Sequence, residues 1–265
     1  CVDLQLTTAD AEPRAEGTTA LSETAAATRQ AHTEKRGNVT QVTQIATFED
    51  LQWGVSSLAF GRGGRFLAAG RPDRSLLLLD VSENAVANQL QDLNSLQQIT
   101  QCAFTPDGSR LLVSGYTGLT LVYEVDRTGM LEQVAQFAGH SAEVKSLTVS
   151  NDGRTALSGS QEKKARYWDI ASGRELGMID GFKGAVKAVH IAANNSTLQA
   201  TDGEQLIEYD TRRRRVSRTR TLTQSWAAGQ AAAFSPTGDL VAVGDSYNVR
   251  IWNVKTGREL PSFAG

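Results

Sequence analysis

The chain has 265 residues, of which 40% are hydrophobic, enough to bury a substantial core in one repeat domain. Its formal net charge of -2 gives no general attraction to nucleic acid or to anionic membranes. It contains no apolar run of about 18 residues, so no membrane-spanning helix is predicted. The two cysteines, Cys1 and Cys102, are too few for a disulfide framework, and the apolar strand pattern around Cys102 favours a buried free thiol.

Residues 1–38 are predicted to form a polar, flexible tether or linker. They are rich in Ala, Thr and Glu, contain almost no aromatic residues and show little apolar periodicity. Cys1 allows two interpretations. A chain that begins with Cys and continues into a polar tail resembles a mature bacterial lipoprotein, with a lipidated Cys1 at the cell envelope. Alternatively, the sequence simply starts at this point.

From Val39 onward, one unit recurs with a period of about 43 residues. The first strand of each unit ends at an apolar residue: Phe60, Phe104, Val149, Ile191 and Phe234. A turn rich in Gly, Pro, Asp or Asn follows, and after it come two further strand patterns. Because one such unit cannot bury both of its faces, the repeats are expected to stack on one another.

The clearest copy runs from Gly139 to Ile170. It opens with Gly-His, has an Asn-Asp-Gly turn at 151–153 and ends on Trp168-Asp169. These features resemble the WD40 repeat, the blade unit of a β-propeller, in a bacterial-type member of that family. The resemblance implies an all-β WD40 propeller over residues 39–265, with five recognisable four-stranded blades in a larger, seven-bladed ring. The blades are expected near residues 52–92, 96–137, 142–180, 184–222 and 227–265.

The same resemblance implies a hydrogen-bonded network in the third repeat. In the family, a His, a Ser or Thr, a Trp and a turn Asp together lock a blade. The matching positions here are His140, Ser158 and Trp168, while Glu162 stands at the Asp position. The other repeats lack most of these residues, so apolar packing between sheets is expected to hold their blades together.

Residues suited to catalysis are few. The three histidines, His32, His140 and His190, have no partner at metal-ligand spacing, so we expect neither a metal site nor a cofactor. The glycine-rich stretch Gly61–Gly64 joins two strands and lacks the helix and Lys of a phosphate-binding loop. The acidic residues form no evident acid–base pair. We therefore predict no enzymatic activity and find no evident small-molecule substrate.

Partner binding is expected on loops that open on one face of the ring. Trp53, Phe182, Lys183 and Trp226 precede inner strands there, and aromatic residues on a rigid surface are the usual anchors of protein interfaces. The alternative is that each aromatic side chain folds inward and caps its own blade.

An arginine cluster is the strongest local charge signal. It consists of Arg212, Arg213, Arg214, Arg215, Arg218 and Arg220. One interpretation is a basic patch for an acidic protein, phosphate groups or nucleic acid. The other is an edge strand that its positive charge keeps from pairing with another edge. No aromatic residues are interleaved with the arginines, which disfavours nucleic acid.

Together these patterns predict a non-catalytic scaffold that binds partner proteins through the loop face of a WD40 propeller. One alternative is a sensor or scaffold domain of a larger multidomain enzyme, such as a bacterial kinase. Another is a lipid-anchored WD40 lipoprotein of the cell envelope. The expected location is accordingly the cytoplasm, or the cell envelope if Cys1 is lipidated.

Overall fold

The computed structural model describes residues 54–222, 231–244 and 248–261, apart from the side chain of Arg62. Within these ranges the regular secondary structure consists of antiparallel strands and two short 3-10 helices, Arg62–Gly64 and Asn94–Leu96. The described strands form four four-stranded sheets and one three-stranded sheet, which we number blades 1 to 5 in chain order.

The strands of each blade follow one another along the chain. Blade 1 comprises β1 Ser57–Gly61, β2 Phe66–Gly70, β3 Leu76–Asp80 and β4 Ala85–Leu90. Blade 2 comprises β5 Ile99–Phe104, β6 Arg110–Gly115, β7 Thr120–Val125 and β8 Leu131–Phe137. Blade 3 comprises β9 Val144–Val149, β10 Thr155–Ser160, β11 Ala165–Asp169 and β12 Glu175–Ile179. Blade 4 comprises β13 Ala188–Ile191, β14 Thr197–Thr201, β15 Gln205–Asp210 and β16 Arg215–Thr221. Blade 5 comprises β17 Ala231–Phe234, β18 Leu240–Gly244 and β19 Val249–Asn253.

Short turns with local side-chain hydrogen bonds connect the strands of each blade. Asp107 accepts a hydrogen bond from Thr105 Oγ1 at 2.6 Å, and Gly108 beside it has a φ of 68°. The same arrangement recurs in blade 3, where Asp152 accepts from Ser150 Oγ at 2.6 Å. An Asp that bonds its own turn and a Gly in the left-handed region are both typical of tight hairpins, as the repeat pattern predicted.

The blades are arranged around a common axis, with the first strand of each blade innermost. Strand β1 packs against β5, β5 against β9, β9 against β13, and β13 against β17. The apolar cores lie between neighbouring sheets. Phe66 and Leu78 of blade 1 pack with Leu111 and Tyr123 of blade 2, and equivalent clusters fill the next three interfaces. This arrangement confirms the predicted all-β propeller.

The outward faces of the first and last blades carry exposed apolar side chains. Leu58 and Phe60 on β1 are 61% and 65% exposed, on the face turned away from blade 2. Val249 on β19 is 59% exposed, on the face turned away from blade 4. Among the described strands, β17 makes no contact with β1 comparable to those between neighbouring blades. Closure into a seven-bladed ring stays a prediction.

Cys102 is a free cysteine inside the interface between blades 1 and 2. Burial raises the pKa of its thiol to about 12, so the thiol stays protonated at neutral pH. Cys1 lies outside the described residues. No described helix is long and apolar enough to cross a membrane.

The strand order gives the propeller two faces. The β2–β3 and β4–β5 connections of blade 1, and their counterparts in the other blades, open on one side, which we call the loop face. The β1–β2 and β3–β4 connections and their counterparts open on the opposite side, the turn face.

Candidate functional site

The four residues of the predicted network lie in direct contact in blade 3. His140 Nε2 is 2.7 Å from Ser158 Oγ, and His140 Nδ1 is 2.6 Å from Glu162 Oε1. Trp168 Nε1 donates to Ser158 Oγ at 2.8 Å. The β8–β9 loop is thereby tied to strand β10, to the β10–β11 turn and to strand β11.

Glu162 holds the network together electrostatically. Burial alone would raise its pKa, but hydrogen bonds from Ser141, His140 and Arg166 outweigh burial and lower the pKa to about 2. Burial lowers the pKa of His140 against the opposing effect of the Glu162 carboxylate, so the imidazole is neutral at pH 7. The longer Glu side chain thus occupies the turn position with its hydrogen bonds satisfied.

The Ser–His–Glu order resembles that of a catalytic triad, but the serine is in the wrong place for catalysis. Ser158 is 0% exposed and its oxygen already accepts a hydrogen bond from Trp168. A nucleophile must reach a substrate, and this hydroxyl faces the packed interior. The network is therefore structural, and its effect is to fix the β8–β9 loop, which carries His140 and Ser141.

A cleft of about 600 Å³ opens on the loop face between blades 2 and 3. Its lining comes from the loops and strand ends of both blades: Gln97, Tyr116, Thr117, Ser141, Ala142, Glu143, Lys145 and Gln161. Glu143 and Lys145 form an ion pair at 2.7 Å. Tyr116 is 53% exposed, which makes it the described aromatic residue best placed to contact a partner here.

The backbone around Tyr116 is firmly held. Its N–H donates to Leu96 O at 3.0 Å, and Thr117 Oγ1 donates to Ser95 O at 2.7 Å. The neighbouring Gly118, with a φ of 89°, lies so close to the His140 carbonyl that a Cβ would not fit. The cleft is consequently preformed. We did not predict Tyr116 from the sequence, and the available signal was a tyrosine between the glycines of Gly115-Tyr-Thr-Gly118.

The structure corrects one predicted anchor. Phe182 is 7% exposed and packs into the core between blades 3 and 4, so it follows the inward alternative and is not a surface anchor. Lys183 beside it is exposed, with its Nζ 3.5 Å from Glu204 Oε2. Trp53 and Trp226 lie outside the described residues, as does His32, and their roles stay predictions.

Asp202 organises the loop that carries Lys183 and was not predicted from the sequence. It is 2% exposed, and its Oδ2 accepts from the backbone N–H groups of Lys183 at 2.9 Å and Gly184 at 3.1 Å. Its Oδ1 accepts from Glu204 N at 2.9 Å and Gln205 N at 2.7 Å. One carboxylate therefore joins the β12–β13 and β14–β15 loops on the loop face.

The arginine cluster lies on blade 4, in the β15–β16 turn and on the outermost strand β16. Arg218 Nη1 donates to Lys255 O at 3.3 Å, and Arg220 Nη2 donates to the same carbonyl at 2.5 Å. These two residues thus connect blade 4 to blade 5. The remaining four arginines, Arg212, Arg213, Arg214 and Arg215, are exposed around the turn. The cluster is separate from the loop-face cleft between blades 2 and 3.

The family model "WD domain, G-beta repeat" matches residues 131–169 and 222–253. The first match spans β8 to β11 with the complete network, and the second spans the described strands of blade 5. These matches identify WD40 repeats within the chain.

Several WD40 relatives are similar in sequence to about half of this chain. Echinoderm microtubule-associated protein-like 2 of Homo sapiens is 29% identical over 128 residues, which is 48% of this chain and 19% of that protein. The APC/C activator protein CDH1 of Saccharomyces cerevisiae is 29% identical over 135 residues, 49% of this chain and 23% of that protein. The chain therefore matches only about a fifth of the length of these relatives.

A solved structure shares the WD40 fold. A chain in the crystal structure of the mitotic checkpoint complex superposes with a TM-score of 0.68 at 18% sequence identity, covering 84% of this chain and 69% of that chain. At this identity the likeness concerns the fold.

The remaining histidine, His190, is half-buried between blades 4 and 5. His190 on β13 stacks on Phe234 of blade 5 with ring centroids 5.8 Å apart, and burial lowers its pKa. In the part of the chain that the structure describes, no group of three or more His, Cys, Asp or Glu residues is arranged to hold a metal ion.

Proposed function

We propose that this WD40 chain is a non-catalytic scaffold that binds partner proteins through its loop face. The observation that carries the proposal is the cleft of about 600 Å³ between blades 2 and 3, with the half-exposed ring of Tyr116 in its lining. Aromatic side chains in such positions often dominate binding energy. Because hydrogen bonds already fix the lining loops, association costs little ordering entropy.

The relatives support protein binding as the class of function. WD40 proteins are in general interaction scaffolds. Two matched relatives have names that refer to a macromolecular assembly, microtubules in one and the APC/C in the other. The partner of the present chain is proposed only as a protein, because the match covers about a fifth of those relatives.

The non-catalytic part of the proposal is supported by the blade 3 network. Its serine and histidine are the described residues that most resemble catalytic groups, and they are 0% and 7% exposed. Their hydrogen bonds are used within the blade. Two alternatives stay predictions: that the chain is a domain of a larger enzyme, and that it is anchored through a lipidated Cys1.

The test compares partner binding by variants of two exposed residues on opposite faces, Tyr116 and Met130. Partners captured from the native source by the full chain are identified by mass spectrometry, and their affinities are then measured with purified proteins. Tyr116→Ala is expected to weaken binding by roughly 30-fold, the effect of losing about 2 kcal/mol at a hot spot. The control, Met130→Ala, removes a side chain that is 62% exposed on the turn face and should leave affinity unchanged. Equal affinities of the two variants, with equal melting temperatures, would contradict the proposal.

A further inference from the structure

A second, smaller cleft lies on the turn face between blades 3 and 4. Its volume is about 260 Å³. The residues that line it come from strands and turns of both blades and include Thr155, Tyr167, Leu176, Leu198, Thr211 and Arg214. It thus combines hydroxyl groups, an apolar floor and one guanidinium group.

The guanidinium of Arg214 is available for a ligand. Its one described hydrogen bond runs from Nη2 to Leu176 O at 3.4 Å, which is long for a charged donor. The nearby carboxylate, Asp210, is already occupied: its Oδ1 accepts from Arg212 N at 2.9 Å and Arg213 N at 3.0 Å. Among the described residues, no carboxylate lies within ion-pair distance of Arg214.

The backbone of the turn places this arginine next to the cleft. Arg214 has a φ of 52°, in the left-handed region that residues other than Gly seldom adopt. It is followed by Arg215, where strand β16 begins, so the chain reverses at Arg214. Arg212, Arg213 and Arg215 surround it with further positive charge, and all three are exposed.

The floor of the cleft is apolar and closely packed. Leu198 is 1% exposed, and the Tyr167 ring, 5% exposed, lies across from Gly177 on the neighbouring strand. A Cβ at Gly177 would lie 2.5 Å from Tyr167 Cε1. The Tyr167 ring therefore occupies space that is free only because residue 177 is a glycine. Such a floor suits an aliphatic side chain.

The same residues disfavour single-stranded nucleic acid as the ligand. Binding of that class relies on exposed aromatic rings that stack on bases, and the Tyr167 ring is almost fully covered. Arg218 and Arg220 already donate to carbonyl groups of blade 5, so fewer of their N–H groups remain to bind phosphate groups along β16.

We propose that this cleft binds an acidic peptide segment in which a Glu or Asp carboxylate pairs with Arg214 and a neighbouring aliphatic side chain packs against Leu176. A planar guanidinium recognises a carboxylate through two parallel hydrogen bonds, and the surrounding arginines attract acidic chains. The site would let the scaffold hold an acidic segment on its turn face while the loop face holds another partner, which raises the effective concentration of each.

The test is fluorescence anisotropy on the full chain with a labelled eight-residue peptide of alternating Glu and Leu. Wild type should bind it at least tenfold more tightly than the matching Gln and Leu peptide. Arg214→Gln should weaken binding at least tenfold, and Arg214→Lys should weaken it by a smaller factor because charge remains without the planar fork. Leu176→Ala should weaken binding without changing its dependence on salt.

The matched control is Arg127→Gln, which removes an exposed arginine from the equivalent turn of blade 2 and should leave the affinity unchanged. Equal affinities of Arg214→Gln and Arg127→Gln would overturn the proposal. So would tighter binding of a ten-nucleotide single-stranded DNA, or binding of a phosphoserine peptide alone. Tyr116→Ala should bind the acidic peptide with wild-type affinity. Loss of the turn-face peptide site can therefore be told apart from loss of partner binding on the loop face.

Discussion

Single side chains stabilise the turns of this propeller by hydrogen bonds, and Asp80 is one example. It is 5% exposed and accepts hydrogen bonds from Ser82 Oγ at 2.6 Å, Ser82 N at 3.0 Å and Arg65 Nε at 2.8 Å. Burial alone would raise its pKa, but these bonds lower the pKa from 3.8 to about 2. The ionised carboxylate therefore stabilises the folded state of blade 1.

This depressed pKa predicts a contribution to acid unfolding. Because the folded-state pKa lies below the unfolded value, the stabilisation is complete above about pH 3.8 and is lost as pH falls towards 2. Asp80→Asn should make the free energy of unfolding, measured by urea titration, fall less steeply over this range. Ser82→Ala removes one donor and should give an intermediate slope. A slope in Asp80→Asn identical to that of wild type would contradict this account.

Motif residues were predictable at the residue scale, whereas residues outside the repeated motif were not. His140, Ser158 and Trp168 occupy positions of a repeated pattern, and Glu162 takes the Asp position with its hydrogen bonds satisfied. Tyr116 and Asp202 belong to no such pattern. The importance of Tyr116 depends on exposure and that of Asp202 on backbone groups of a distant loop, and both arise only from tertiary structure. Phe182 shows the reverse, since an aromatic residue in a loop can fold into the core.

At the scale of elements, neighbouring blades are joined by more than their apolar cores. Gly257, with a φ of 69°, lies in the turn after β19, where a Cβ would clash with the Arg220 guanidinium of blade 4. The absence of a side chain at Gly257 allows Arg220 to reach the carbonyls of Lys255 and Thr256. A glycine in one blade thus makes room for an arginine of the preceding blade.

Gly257→Ala should therefore destabilise the protein in two ways. Strain at positive φ costs about 1 kcal/mol, and displacement of Arg220 should add about 1–2 kcal/mol by breaking its hydrogen bonds. Gly63→Ala is the matched control, because Gly63 has a φ of 65° but nothing within 4 Å of a Cβ. Urea denaturation should show the larger loss for Gly257→Ala. Equal losses would mean that the Arg220 contact contributes nothing to stability.

For the whole molecule, the period of the sequence was sufficient to predict the propeller. It was not sufficient to predict which charged residues bind a neighbouring blade and which line a cleft. Five strand ends in register, from Phe60 to Phe234, predict stacked sheets whichever residues fill the loops. The six arginines looked like one patch in the sequence. In the structure, Arg218 and Arg220 bind the next blade, whereas Arg214 lines a cleft. Such a division depends on neighbours about 35 residues away along the chain.

The two faces of the molecule give the most direct test of loop-face docking. The photo-crosslinking residue p-benzoylphenylalanine would replace Tyr116 or Lys183 on the loop face, and Met130 or Arg127 on the turn face, each in the full chain in its native cells. We expect the partner protein to crosslink from positions 116 and 183 and not from 130 or 127. Crosslinks from 130 and 127 with none from 116 or 183 would contradict the proposed function.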